Sequence, residues 1–147
     1  MRFSTQIATV AVAVATTWTL SSAPSFAVER SLYERLGGVG AIQAVVTKLI
    51  SNAGADKRIN GYFKNVDLKQ LNKHVVDQVC QATGGPCTYT GRDMKTTHKG
   101  MKVTTAAFNA FVEDLVSALD TFNVGKQEKD ELLAILGPMK KDIVEAP

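Results

Sequence analysis

The stretch "VTTAAFNAFVEDLVSALDTFNV" at 103–124 constrains the fold more than any other part of the chain. Phe108, Phe111, Leu115, Ala118, Leu119 and Phe122 recur at helical spacing without a break. Thr104 or Thr105 can cap the start by accepting a backbone N–H. A long helix with one continuous apolar face is stable only when other elements cover that face. The remaining segments must therefore supply matching partners.

They do so as helices. "AIQAVVTKLI" (41–50) places Ile42, Val45, Val46, Leu49 and Ile50 on one face. "SNAGADKRINGYF" (51–63) reads as a polar connection ending in Tyr62 and Phe63. In "NVDLKQLNKHVVDQVCQA" (65–82), Asp67 is an N-cap candidate and Leu68, Leu71, Val75, Val79 and Ala82 make the stripe. His74 lies about 100° from the centre of that stripe, on its flank beside Leu71 and Gln78. "KQEKDELLAILGPMKKDIVEA" (126–146) offers Leu132, Leu133, Leu136, Met139 and Ile143 for burial. Gly137-Pro138 should kink or divide it, since proline lacks a backbone donor and clashes with the preceding turn.

Two shorter segments complete the set. "SLYERLGG" (31–38) carries a capping box, Ser31 with Glu34, and stops at Gly37-Gly38. "MKTTHKGM" (94–101) puts Met94, His98 and Met101 on one face. Between the helices, "TGGPCTYTGRD" (83–93) holds three glycines and a proline and must be a loop. No strand pairs, repeats or low-complexity tract are present. The expectation is an all-α domain of five or six helices around one core.

The amino terminus belongs to a different category. Arg2 precedes an apolar run from Ile7 to Leu20, and the segment ends in Ser25-Phe26-Ala27. This is the pattern of a cleavable secretory signal peptide. A spanning helix needs about 18 or more apolar residues; here the run is shorter and broken by Thr16, Thr17 and Thr19. Cleavage after Ala27 is expected, leaving 28–147 as one domain, exported to the periplasm without a stable membrane anchor. Loss of Arg2 takes the formal net charge from +3 to +2. With no basic run or aromatic-basic interleaving, nucleic acid is not expected as a partner.

Both cysteines and both histidines fall between positions 74 and 98, in the order His74, Cys80, Cys87, His98. Structural zinc sites use tight pairs such as Cys-x2-4-Cys and His-x3-5-His, and neither pair here has that spacing. Export favours oxidation of two nearby thiols, and Gly84-Gly85-Pro86 lets the loop double back. A Cys80–Cys87 disulfide is the leading reading, with free thiols as the alternative; the C-x-x-C spacing of redox motifs is absent. For His98 the pattern leaves two readings. It is either a hydrogen-bonded core histidine or an axial haem ligand on an apolar wall, flanked by Met94 and Met101 and followed by Phe108 and Phe111. Any haem would be held noncovalently, because no C-x-x-C-H is present.

Four segments then carry a resemblance: "SLYERLGG" (31–38), "ADKRINGYF" (55–63), the pair Gly84-Gly85, and "YTGRDMKTTH" (89–98). In order and spacing they resemble the truncated haemoglobins, closest to their group 1, from Ser31 to about Glu145. The resemblance implies a two-over-two helical sandwich around a b-type haem. It implies His98 as the proximal iron ligand, Phe63 as the aromatic packed on the haem face, and Gly84-Gly85 as the pair that carries the loop to the proximal segment. It places His74 on the distal helix, where some relatives use a histidine as a sixth iron ligand. Tyr62, Leu71, Met94 and Ile50 complete the expected cofactor contacts. Two positions depart from the oxygen-binding pattern: Ile50 stands where many members have tyrosine, and Leu71 where a glutamine is common. The remaining donors on that side are His74, Gln78 and Tyr62. The cysteines, Thr83 in place of an apolar residue, and the signal segment are further departures.

Three functions are then open. The first is an exported globin that binds O2, NO or CO reversibly with His98 proximal. The second is a bis-histidine electron-transfer or NO/peroxide redox protein using His74 and His98. The third is a haemless helical binding module. Turnover would require a reductase or electron donor that the sequence does not identify.

Overall fold

The computed structural model describes residues 28–146; the signal segment expected at 1–27 lies outside the described residues. The described residues form seven α-helices: α1 (Leu32–Arg35), α2 (Gly38–Ala55), α3 (Leu68–Ala82), α4 (Met94–His98), α5 (Thr105–Thr121), α6 (Lys126–Leu136) and α7 (Lys140–Ile143). Single 3-10 turns stand at Asn60–Phe63 and Gly137–Met139. The count exceeds the expected five or six because Gly137-Pro138 divides the last helix into α6, a 3-10 turn and α7.

The capping box of α1 forms in full: the Glu34 N–H donates to Ser31 Oγ at 3.2 Å, and the Ser31 N–H donates to Glu34 Oε2 at 2.9 Å. Gly37 adopts φ +100°, so the chain turns at once into α2. That helix runs on through Ala55, where a polar connection was expected from Ser51. Ala53, with no exposed surface, extends the apolar face, and Asn52 donates to the carbonyl of Asp114 on α5. Alanine is too small to register in a stripe of large residues, and the face looked shorter than it is.

Helix α2 packs on both α3 and α5, and α1 packs on α6. With Leu119 of α5 and Leu132 of α6 sharing the core of α2 and α3, the helices make a two-over-two sandwich. Its core gathers Leu32, Val46, Leu49, Val79, Leu119 and Leu132. Each large side chain buried this fully contributes about 1.5–3 kcal/mol. Arg35 fixes α1 on α6 through Glu128 at 3.0 Å and both carboxylate oxygens of Glu131. A lone bridge, Thr104 with Ala146, is the only β-type pairing among the described residues. None of their helices is long and apolar enough to cross a membrane.

Two stripe assignments change. Leu68 was expected inside and is 45% exposed, whereas Val76, Cys80 and Thr83 are buried. Helix α3 has two occupied faces, one packed in the core and one turned to a cavity, and a single-stripe fit lands between them. Phe122 follows the end of α5 and is also 45% exposed. The chain turns outward there through Asn123, whose φ is +54°. Thr83 meets its burial by donating its hydroxyl to the Val79 carbonyl at 2.7 Å.

From Thr83 to Asp93 the chain is a loop, as its glycines require. Cys80 and Cys87 are bonded to each other, with Cα atoms 5.7 Å apart. Beside them, a Cβ on Gly85 would lie 2.5 Å from the Tyr33 ring and 2.7 Å from Cys80 Sγ. Gly85→Ala is therefore expected to lower stability by about 1–3 kcal/mol, the usual range for overpacking. A urea titration checks it; a midpoint equal to that of the wild type would show that the loop yields freely.

Candidate functional site

A cavity of about 960 Å³ opens between α2, α3, α4, α5 and the segment around α7. That is near the upper end of the roughly 300–1,000 Å³ usual for cofactor sites. Ile50, Tyr62, Phe63, Leu71, His74, Met94 and His98 all line it. Cys80 and Cys87 do not; they brace the loop behind it. Among the described residues no three His, Cys, Asp or Glu side chains gather as a cage for a metal ion.

His98 ends the five-residue helix α4, which is too short to persist unaided. Asp93 caps its start, accepting from the Thr96 N–H at 2.8 Å and the Thr96 hydroxyl at 2.7 Å. These bonds hold the Asp93 carboxyl below its ordinary pKa, so it stays ionised where a helix start favours negative charge. After His98 the backbone turns sharply, with φ +82° at Gly100 and +55° at Lys102. Glu145 clamps that turn by accepting the N–H of Gly100 at 2.7 Å and of Lys102 at 2.6 Å, which lowers its own pKa. Within this frame His98 Nδ1 lies 2.8 Å from the Met94 carbonyl. A carbonyl can only accept, so Nδ1 carries the hydrogen and Nε2 keeps a free lone pair.

His74 belongs to the cavity-facing side of α3 with Gln70, Leu71, Val75 and Gln78. It lies beside Leu71 and Gln78, as expected from the spacing, and that flank of the stripe is the cavity wall. Its Nδ1 is buried without a hydrogen-bond partner. The ring meets Tyr89 edge-on, with centroids 6.0 Å apart and planes at 77°. Asp114 Oδ2 is likewise buried and unpartnered, but Asp114 is not among the residues that line the cavity, and burial pushes its carboxyl up towards the neutral form.

Of the three donors expected beside Ile50 and Leu71, two are turned to protein partners. The Tyr62 hydroxyl faces the Lys102 carbonyl at 3.4 Å, and Gln78 donates to Met139 Sδ at 3.6 Å. Only His74 keeps a buried nitrogen free. Phe63 stacks on Phe111, with centroids 6.2 Å apart, and the Lys140 ammonium lies 5.8 Å from the Phe108 ring centre.

Sequence reasoning missed Tyr89, Arg92 and Lys140, which line the cavity. Tyr89 stood in a quoted motif but was read only as linker. Its contact with His74 arises when the loop folds back over α3, which no local pattern announces. Burial pushes its phenol pKa up.

These residues fit a haem: an apolar cavity in the size range of cofactor sites, one histidine with a ring nitrogen committed to a carbonyl, and a second histidine on the same cavity with an orphaned nitrogen. Fold and site together define the globin class. The profile of the bacterial-like globin family matches residues 31–145. The group 1 truncated haemoglobin of Tetrahymena pyriformis is 31% identical over 115 residues, covering 78% of this chain and 95% of that protein. That of Mycolicibacterium paratuberculosis is 31% identical over 113 residues, covering 77% and 83%. The crystal structure of the Tetrahymena pyriformis protein in its Fe(III) form superposes with a TM-score of 0.76, covering 78% of this chain and 98% of that one. A Synechococcus 2/2 haemoglobin, crystallised in the cyanomet state with covalently attached haem, is 33% identical with a TM-score of 0.74, again covering 78% and 98%. The chain belongs to the truncated haemoglobins, a class of haem-binding globins, and within them to group 1.

Proposed function

We propose that this protein is an exported globin that holds a noncovalent b-type haem through His98 and reversibly binds O2 or another diatomic gas, NO or CO. The observation that carries the reading is the His98 Nδ1–Met94 carbonyl bond of 2.8 Å in a cavity-lining residue. It fixes the tautomer and the ring orientation, as second partners of metal-bound histidines do, and leaves Nε2 for iron. Haem iron supplies the coordination position at which a diatomic ligand is held. The chain's own residues set the terms. Ile50, Leu71 and Phe63 keep that face apolar and exclude water. His74 is the donor available to a ligand carrying partial negative charge. The leader at 1–27 and an oxidised Cys80–Cys87 pair accord with export, where such bridges persist.

A second reading rests on the unpartnered Nδ1 of His74. If His74 moves onto the iron when no gas is present, the protein is bis-histidine ligated and suited to electron transfer or redox chemistry with a partner reductase. Visible spectra of the ferric, ferrous and CO-bound forms test both readings. The expected result is a haem Soret band that shifts with CO. A correctly folded 28–147 protein that takes up no haem would overturn the first reading. A five-coordinate, high-spin ferrous protein at neutral pH would overturn the second.

A further inference from the structure

We propose that Tyr89 positions His74 relative to the iron, and that the Cys80–Cys87 bridge holds Tyr89 in that place. The inference rests on the haem reading above and deepens it. Tyr89 is joined to both helices that carry a candidate iron ligand. Its N–H donates to Gln81 Oε1 at 2.6 Å, near the end of α3. Its hydroxyl donates to the Arg92 carbonyl at 2.6 Å, one residue before the Asp93 cap of α4. Its ring stands edge-on against His74.

The ring occupies a place cleared for it. A Cβ on Gly91 would lie 2.4 Å from the Tyr89 phenol oxygen, so only glycine admits this conformation. Two residues before Tyr89, the loop is tied covalently to Cys80, an anchor with no exposed surface, packed in the core. The His74 ring has no hydrogen bond at Nδ1 to resist rotation or displacement. The aromatic edge is thus the contact that limits how far it swings, and the disulfide limits how far the edge can withdraw. Dithiothreitol would reverse the tie: its two thiols close to a cyclic disulfide while Cys80 and Cys87 each gain a hydrogen.

The test compares CO association rates and the low-spin share of the ferrous haem-loaded protein. It uses wild type, Tyr89→Phe, Tyr89→Ala, Gly91→Ala and Cys87→Ser, each with His74 present and with His74→Ala. In the His74 background, Tyr89→Ala is expected to shift the CO rate at least fivefold, and Gly91→Ala should shift it in the same direction. Tyr89→Phe, which keeps the ring and loses only the Arg92 bond, should fall between. Cys87→Ser and reduced wild type should move the same way by a smaller factor. With His74→Ala, none of these should differ more than twofold. If His74→Ala departs from wild type while every change at positions 89 and 91 stays within twofold, Tyr89 is a structural strut and the proposal is wrong. If His74→Ala itself matches wild type in a protein that carries haem, the role given to His74 fails and the proposal falls with it.

Discussion

His98→Ala protein, purified in the presence of excess haem, is expected to lose the Soret band and at least ~100-fold in haem affinity, while its far-UV helical signal stays unchanged. A 100-fold loss corresponds to about 2.7 kcal/mol. The prediction follows from the way the site is built. Helix α4 serves one side chain: Asp93 caps it, Glu145 clamps the turn behind it, and the Met94 carbonyl holds the ring. Truncation to alanine leaves the Asp93 cap and the Glu145 clamp standing and removes the imidazole with its bond to the Met94 carbonyl. Free imidazole, which can enter the space vacated by the ring, should restore part of the spectrum. If His98→Ala retains haem with an unaltered spectrum, the proximal assignment is wrong and another side chain holds the group.

The second large effect is expected at His74. Ile50 and Leu71 offer no hydrogen bond, and Tyr62 and Gln78 are directed to Lys102 and Met139. Of the three donors expected there, His74 alone keeps a buried nitrogen without a protein partner. A hydrogen bond to bound O2 is worth about 0.5–1.5 kcal/mol, which corresponds to a roughly 2- to 13-fold faster O2 dissociation in His74→Ala. If His74 also occupies the sixth position in the unliganded protein, the same substitution converts a low-spin ferrous spectrum to high-spin and raises CO association at least ~10-fold. Stopped-flow mixing and flash photolysis read both quantities. Unchanged rates and spectra together would show that His74 meets solvent or the periphery of the haem and takes no part at the iron.

Much of this arrangement is legible in the residues. Ser31 and Glu34 announce α1, Asp67 announces α3, and Thr104 announces α5, because caps act locally and need no partner from elsewhere in the chain. The glycines at 84, 85 and 91 mark the loop, and Met94 with His98 marks α4. The family motifs alone bring the candidate haem contacts together. What escapes is what depends on two surfaces at once. Helix α3 faces both a core and a cavity, so one hydrophobic stripe cannot tell which of its residues serve which. The end of α2 is buried by Ala53, whose side chain is too small to weigh in a periodicity. Tyr89 touches His74 across a separation of fifteen positions, through a loop whose path is set by a covalent tie and by the absence of a side chain at Gly91.

The division of α3 into two faces has an evolutionary consequence. Val76 and Cys80 answer to the core alone, and substitutions there are paid in folding stability. Gln70, Leu71, His74 and Gln78 line the cavity, and under the proposed function substitutions there are expected to alter ligand binding with little effect on stability. Because the two sets alternate along one helix yet point to different neighbours, gas chemistry can drift under selection while the scaffold stays fixed. A lineage can exchange a glutamine for Leu71, or recruit His74, without first acquiring a compensating change in the core.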